Sequence, residues 1–244
     1  MPAQLIPVAQ LQHGPVPLSS VPLTVLVGVT GAGKSTALGG LAALRPYALL
    51  PDRRALTDAL IFGGEGVRDR AERFRRTRAF REAHPGGMAG VLETLTLPET
   101  PRLPLLFDGL RGLEEVERAA RNPTWRFALL DAPDLERARR LIERADAFDA
   151  APGTVSGDAL SGLRALEGVS EVFSERELLE LSRLPAEASE TVSKVKIVVE
   201  ERRHYDPRAA RDFLLERLEF SRVLYLDTVR FSPEEVAGRL LGWL

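Results

Sequence analysis

The sequence predicts an α/β fold: a three-layer arrangement in which a parallel sheet carries helices on both faces. Two observations point there. Short apolar runs alternate with segments of helical periodicity, the pattern of strand–helix–strand units. Between the first such run and the first helix lies Gly28-Val29-Thr30-Gly31-Ala32-Gly33-Lys34-Ser35-Thr36, which satisfies the phosphate-binding pattern G-x-x-x-x-G-K-[ST] without a mismatch. At average residue frequencies that pattern arises by chance in roughly one chain in a hundred of this length. Leu23-Thr24-Val25-Leu26-Val27 before it has the composition of a buried strand, and Ala37–Leu44 after it places apolar groups at helical spacing.

Taken in order, residues 1–22 read as an irregular arm containing Pro2, Pro7, Pro15 and Pro17, with Pro22 at the entry to the first strand. The core that carries the glycine loop is assigned to residues 23–148. Its second strand is expected at Tyr47–Leu50, ended by Pro51. A helix-rich stretch over 53–97 follows, broken at Gly63-Gly64-Glu65-Gly66 and at His84-Pro85-Gly86-Gly87. Leu103–Asp108 and Trp125–Asp131 read as buried strands with acidic ends, followed by helices over Leu113–Arg121 and Leu135–Ala145. Residues 149–204 break the rhythm, with a loop at Gly153–Gly157 and short helical segments through Leu163, Leu178 and Leu181. Thr191–Arg203 is two-sided: Val192, Val195, Ile197, Val198 and Val199 suit a strand, whereas Glu200-Glu201-Arg202-Arg203 continue as a helix, and a helix is preferred. Residues 205–244 return to the core with a strand at Arg222–Asp227. A final helix follows, with Ser232 as N-cap, Pro233 at the first helical position and Glu235 closing a capping box.

With 244 residues the chain suffices for one α/β domain with an insertion. A net charge of −2 and no basic–aromatic platform give no support to a nucleic-acid partner. The absence of cysteine excludes disulfides and thiolate metal sites and fits a cytoplasmic protein. The three histidines, His13, His84 and His204, lie far apart, which argues against a histidine metal site. No signal peptide is visible, and no apolar stretch approaches the roughly 20 residues that a membrane helix needs.

The chemistry begins at the glycine loop. Gly28, Gly31 and Gly33 let the backbone turn its N–H groups inward around phosphate oxygens, and the helix starting near Lys34 adds the positive end of its dipole. The cradle runs from Gly28 through Thr30, Gly31, Ala32 and Gly33 to Thr36. Lys34 is expected to reach the β- and γ-phosphates of a nucleoside triphosphate, and Ser35 to place its hydroxyl on Mg²⁺. ATP is preferred over GTP by default, since no N-K-x-D guanine motif is present. Such a site also needs a carboxylate near the metal, ending a neighbouring apolar strand. Asp108 is the better candidate, after Leu105-Leu106-Phe107 and before Gly109, where the chain has room to turn. Asp131 is the competitor. Either acid would equally serve as a helix cap, a role that suits Asp131 because Pro133 and Asp134 look like a helix start. Ligands in parallel sheets bind beyond the carboxyl ends of the strands, where Asp52, Asp108, Asp131 and Asp227 all fall.

Leu129-Leu130-Asp131-Ala132-Pro133-Asp134 with Arg140-Leu141-Ile142-Glu143-Arg144, then Glu201-Arg202-Arg203-His204-Tyr205 with Ala209, and finally Leu226-Asp227-Thr228 with Ser232-Pro233-Glu234-Glu235-Val236 keep the order and spacing of a known group. Together with the glycine loop, the chain resembles P-loop NTPases of the small-molecule kinase type, those acting on gluconate, shikimate or nucleotides, over most of residues 22–244. The resemblance implies an ATP- and Mg²⁺-dependent phosphotransferase with a helical lid or insertion. It implies Thr36 as an α-phosphate contact. It also implies Arg140 and Arg144, with Arg202 and Arg203 as further candidates, as cations neutralising the transferred phosphoryl group. Arg137, Arg139, Arg140, Glu136 and Glu143 make equally good ordinary helix pairs. By the same resemblance residues 53–97 form the acceptor region, with Asp52 orienting an acceptor hydroxyl, and residues 137–204 would close as a lid. Within Arg68–Arg81, the stripe Arg70, Arg73 and Arg81 suits either a small anionic acceptor or a solvated face. No gluconate, shikimate or nucleoside-monophosphate signature is present. An ATPase or nucleotide-dependent switch acting with a protein partner is the alternative function.

Overall fold

The structure, a computed structural model, describes residues 3–67, 70–144 and 158–244. The expected loop at Gly153–Gly157 lies outside the described residues. The chain divides into two compact units. The first comprises Met1–Gly28, Lys34–Leu130 and Pro207–Leu244, and the second Val29–Gly33 with Asp131–Asp206.

The fold class is the three-layer α/β arrangement that the sequence predicts. In the first unit the strands are β1 (Gln4–Leu5), β2 (Val16–Pro17), β3 (Leu23–Val27), β4 (Ala48–Leu49), β5 (Thr96–Leu97), β6 (Leu105–Leu110), β7 (Trp125–Asp131, its last residue grouped with the second unit) and β8 (Val223–Asp227). Six of them form one sheet in the order β1-β4-β6-β3-β7-β8. The pairs β1–β4, β4–β6, β6–β3 and β3–β7 are parallel, and β2 with β5 makes a separate antiparallel pair. The flanking helices are α1 (Lys34–Leu44), α2 (Arg53–Leu56), α3 (Arg70–Ala83), α4 (Gly87–Thr94), α5 (Leu113–Ala120), α10 (Pro207–Arg217) and α11 (Pro233–Trp243). Strand alternation sends Leu23, Val25 and Val27 into one core with Met88, Leu92, Val116, Ala119 and Leu214. Leu26, on the opposite face of β3, is equally buried, so both faces of this strand are covered, as a parallel sheet requires.

Two differences from the sequence reading stand out. The N-terminal arm is not wholly irregular: Gln4–Leu5 adds an edge strand to β4, and Val16–Pro17 pairs with β5. Second, β6 does not end at Asp108. It continues to Leu110, with the register shifting so that Leu26 faces Asp108 and Val27 faces Leu110. Gly109 is therefore the extra residue of a bulge, and the strand bends instead of turning away.

The second unit holds α6 (Asp134–Glu143), α7 (Ala159–Arg164), α8 (Glu175–Leu181) and α9 (Ala188–Tyr205). Thr191–Arg203 is thus helical, as preferred above. Its valines lose little by this, because Val195, Val198 and Val199 are buried against Leu141, Leu163 and Leu178 in a core of the unit's own. Asp158 caps α7, and Ser174 with Glu177 forms a capping box on α8. Lys194, fully buried on α9, donates to the carbonyls of Ile142 and Arg144 and to Glu190, tying α9 to the end of α6.

Candidate functional site

In the first unit the site grows from the centre of the sheet. β3 is buried at every residue, and α1 begins seven residues after it at Lys34. β3 neighbours β6 on one side and β7 on the other, so the chain reverses its direction of travel across the sheet there. Crevices form outside the carboxyl ends of strands at such switch points. No acidic residue occupies the first turn of α1, and the opening N–H groups of a helix lack intrahelical partners, which makes this an anion-receiving end. Ser35 and Thr36 are exposed there.

Lys34 Nζ donates to the Gly28 carbonyl at 2.8 Å and stands 3.7 Å from Asp108 Oδ1. Asp108 Oδ1 is shielded from solvent and accepts no hydrogen bond. Most buried polar atoms accept a hydrogen bond, so a shielded carboxylate oxygen that meets only a lysine ammonium at ion-pair distance is an exception. That donor set suits Mg²⁺, a hard cation that takes one or two carboxylates and completes its shell with water and phosphate oxygens. Among the described residues no cluster of three or more His, Cys, Asp or Glu side chains gathers, as an all-protein metal cage would require.

Around Asp108 two features escaped the sequence. Tyr47 is buried and donates its hydroxyl to the Leu38 carbonyl. Burial, and then the charge of Asp108, push its phenol pKa up, so it stays a neutral donor. Arg53 forms a two-pronged pair with Glu115, both bonds 2.7 Å, and also donates to the carbonyl of Gly109, the residue after Asp108. Glu115 further accepts from the N–H groups of Met88 and Arg111. Burial would raise the Glu115 pKa, but the Arg53 charge and these hydrogen bonds outweigh it and hold the carboxyl below the ordinary range.

The other aspartates have different surroundings. Asp52 is exposed and caps α2, its Oδ1 accepting from Ala55 N at 2.7 Å. Asp227 accepts from the N–H groups of Val229 and Arg230 and closes a turn. Asp131 ends β7. It does not cap the next helix, because the N-cap of α6 is Pro133 and no side-chain cap is made there. Nor does Asp108 cap α5, whose N-cap is Gly112. Of the stripe on α3, Arg73 is largely buried and pairs with Asp58, and the Arg70 side chain lies outside the described residues; Arg75 and Arg76, which pair with Glu72, and Arg78, which pairs with Glu82, lie on the surface. A cavity of about 650 Å³ in this unit is lined by His13, Phe80, His84, Val91 and Arg118 among others, and includes none of Lys34, Asp52 or Asp108.

The tip of the glycine loop packs within the second unit. Gly31 has φ +83° and Gly33 φ +92°, left-handed conformations that favour glycine. At Gly31 a β-carbon would also lie 3.0 Å from the Arg137 carbonyl oxygen. Thr30 donates its N–H to Glu201 Oε2 (3.0 Å) and its hydroxyl to Glu201 Oε1 (2.5 Å). Arg137, only 1% exposed, donates to the Thr30 carbonyl, to Asp134 and to Glu201. Of the expected phosphoryl cations, Arg140 donates to the Gly31 carbonyl and pairs with Glu136. Arg202 lies 3.1 Å from Asp134, and Arg203 pairs with Glu167 on the surface. Arg144 is exposed just after α6. Neither Arg137 nor Glu201 was singled out as a loop partner from sequence; each is a charged residue on a helix whose buried positions are mostly apolar.

No protein-family model matches the chain, and no curated protein sequence matches it. Among solved structures it is similar to an unliganded sugar kinase from Janibacter sp., at 17% identity over 91% of this chain and 94% of that one, with a TM-score of 0.39. No helix among the described residues is long and apolar enough to cross a membrane.

Proposed function

We propose that the chain binds Mg-ATP at Gly28–Thr36 and transfers the γ-phosphoryl group to a small anionic acceptor. The observation that carries this reading is the pairing at the head of the loop. Lys34 stands beside a buried carboxylate oxygen of Asp108 that accepts no hydrogen bond, next to a helix end bare of acid. In the transfer, the acceptor hydroxyl oxygen attacks the γ-phosphorus, the bond to the β–γ bridging oxygen breaks, and ADP leaves. Asp52 would orient the acceptor hydroxyl and take its proton. Lys34 would neutralise charge on the β- and γ-phosphates, with Arg140 and Arg144 as further cations toward the transferred group. The N–H groups of Gly31 and of Gly33 through Thr36, with Gly28 at the turn, would cradle the phosphate chain, while the Thr30 and Ala32 N–H groups, held by Glu201 and by the Val29 carbonyl, would shape the loop around it. Positioning and charge stabilisation are what such a reaction needs from a protein. Asp108 and Ser35 would hold Mg²⁺, which when bound supplies charge neutralisation to the phosphates.

The test is ADP release from Mg-ATP by the purified protein, with and without a pooled metabolite extract, against Lys34→Ala. Acceleration by the extract that vanishes in the variant supports transfer to a metabolite. Slow release indifferent to the extract contradicts it and favours an ATPase or switch working with a protein partner.

A further inference from the structure

All three polar groups of Thr30 are held by one buried ion pair. Its N–H and its hydroxyl donate to the two oxygens of Glu201, and its carbonyl accepts from Arg137 Nε at 2.8 Å. The pair closes on itself, with Arg137 Nη2 2.7 Å from Glu201 Oε2 and side chains 1% and 2% exposed. Asp134 bridges Arg137 and Arg202, so two acids face two guanidinium groups and the cluster is neutral. One residue further along, the Gly31 carbonyl accepts from Arg140 Nη1 at 3.2 Å. Thus two successive loop carbonyls point at guanidinium groups.

That direction has a consequence for the N–H groups. A trans peptide is planar, so its C=O and the next residue's N–H point opposite ways. The chain has no cis peptide among the described residues. With the carbonyls of Thr30 and Gly31 aimed at Arg137 and Arg140, the N–H groups of Gly31 and Ala32 are aimed away from those cations; the Ala32 N–H closes the turn on the Val29 carbonyl at 3.2 Å, and the Gly31 N–H is the donor that the Thr30 carbonyl directly orients. A glycine-rich loop is costly to order, and a phosphate gains most from donors already set in place.

We infer that Glu201, seated against Arg137, is a positioning residue for the phosphate-binding loop. It grips both donors of Thr30 and so fixes the peptide planes that follow. The inference rests on the proposed nucleotide binding at this loop. It gives position 30 a stated requirement, a hydroxyl that serine also provides and valine does not. It also gives Arg137 a role beyond ordinary helix pairing.

The experiment uses the full chain with Thr30→Val, Thr30→Ser, Glu201→Gln and the double variant Thr30→Val/Glu201→Gln. Mg-ATP affinity is read by calorimetry, loop amide exchange by mass spectrometry, and thermal unfolding as a control. Thr30 is only half-buried, so its variants remain informative if Glu201→Gln misfolds. The expected result is Mg-ATP binding about tenfold weaker in Thr30→Val, equivalent to about 1.4 kcal/mol. Faster exchange over residues 29–33 accompanies it, with an unchanged Tm. Thr30→Ser restores affinity to within about twofold, and the double variant is no weaker than its worse single parent, as coupled sites behave. Wild-type affinity in Thr30→Val, or a loss that Thr30→Ser does not rescue, overturns the inference while leaving nucleotide binding intact. A change in Tm alone, with affinity untouched, overturns it too. A wild-type chain that binds no Mg-ATP overturns both the inference and the function on which it rests.

Discussion

Truncating Glu115 tests the packing around Asp108. Its carboxylate accepts from Arg53 Nη1 and Nη2 at 2.7 Å each and from the N–H groups of Met88 and Arg111 at 3.2 Å each. The side chain is 3% exposed and that of Arg53 15%. In Glu115→Ala the guanidinium is left in a largely dry site without its counter-charge, and two backbone donors lose their acceptor. Breaking one partner of a buried ion pair costs about 3–5 kcal/mol, a large share of the roughly 5–15 kcal/mol that holds a domain together. Both tryptophans of the chain, Trp125 and Trp243, belong to the first unit, so tryptophan fluorescence during urea unfolding reports on the unit that contains the pair. The pH dependence carries a sign. The folded Glu115 pKa is lowered, so its stabilisation is complete above the unfolded carboxyl value of about 4.3 and is lost as pH falls through the folded value. Wild type should therefore weaken in that acid window, and Glu115→Ala should lose that part of its acid sensitivity. Replacing both residues, Arg53→Met with Glu115→Leu, should cost less than the sum of the single changes. A loss under about 1 kcal/mol for Glu115→Ala, the range of exposed pairs, or an unaltered acid limb, would refute the reasoning.

Three further changes have defined outcomes. Asp108→Asn should weaken Mg-ATP binding about tenfold or more while leaving metal-free ATP binding unharmed, read by calorimetry with and without EDTA; equal losses in both would speak against a metal-side role. Gly31→Ala, at φ +83° and beside the Arg137 carbonyl, should reduce Mg-ATP affinity through about 1–2 kcal/mol of backbone strain, and unchanged calorimetric affinity would show that the loop tolerates a side chain there. Ser232→Ala should lower the stability of the first unit by about 1 kcal/mol in urea unfolding, because it removes the N-cap of α11 and half of its capping box; no change would mean that packing alone sets that terminus.

The elements with a local signature were legible in the sequence. β7 spans Trp125–Asp131 as read, since a dense apolar run needs no distant information. The start of α11 was written in Ser232, Pro233 and Glu235. The strand, loop and helix around Gly28–Thr36 were carried by residue spacing, and Lys34 and Asp108 do meet. What escaped is set by contacts far apart along the chain. The two-residue strand Gln4–Leu5 exists only because β4 offers it an edge, and no period can develop over two residues. Gly109 reads as a turn until the register of β3 against β6 shows a bulge. Arg53 and Glu115 are separated by 62 positions and Thr30 and Glu201 by 171, so neither pairing leaves a mark on local periodicity. Asp52 lies just past a strand end as read, and its side chain also caps the helix that begins at Arg53, a role open to it at the start of the expected helix-rich stretch 53–97.

The central claim, that the loop after β3 is a nucleotide site with Lys34 as its cation, is tested most directly by calorimetric titration of Mg-ATP into wild type and Lys34→Ala. The account predicts one site per chain in wild type. In the variant it predicts affinity reduced about 10–100-fold, the worth of a hydrogen bond to a charged group, with tryptophan-monitored unfolding unchanged. No binding by wild type, or equal binding by the variant, would contradict it.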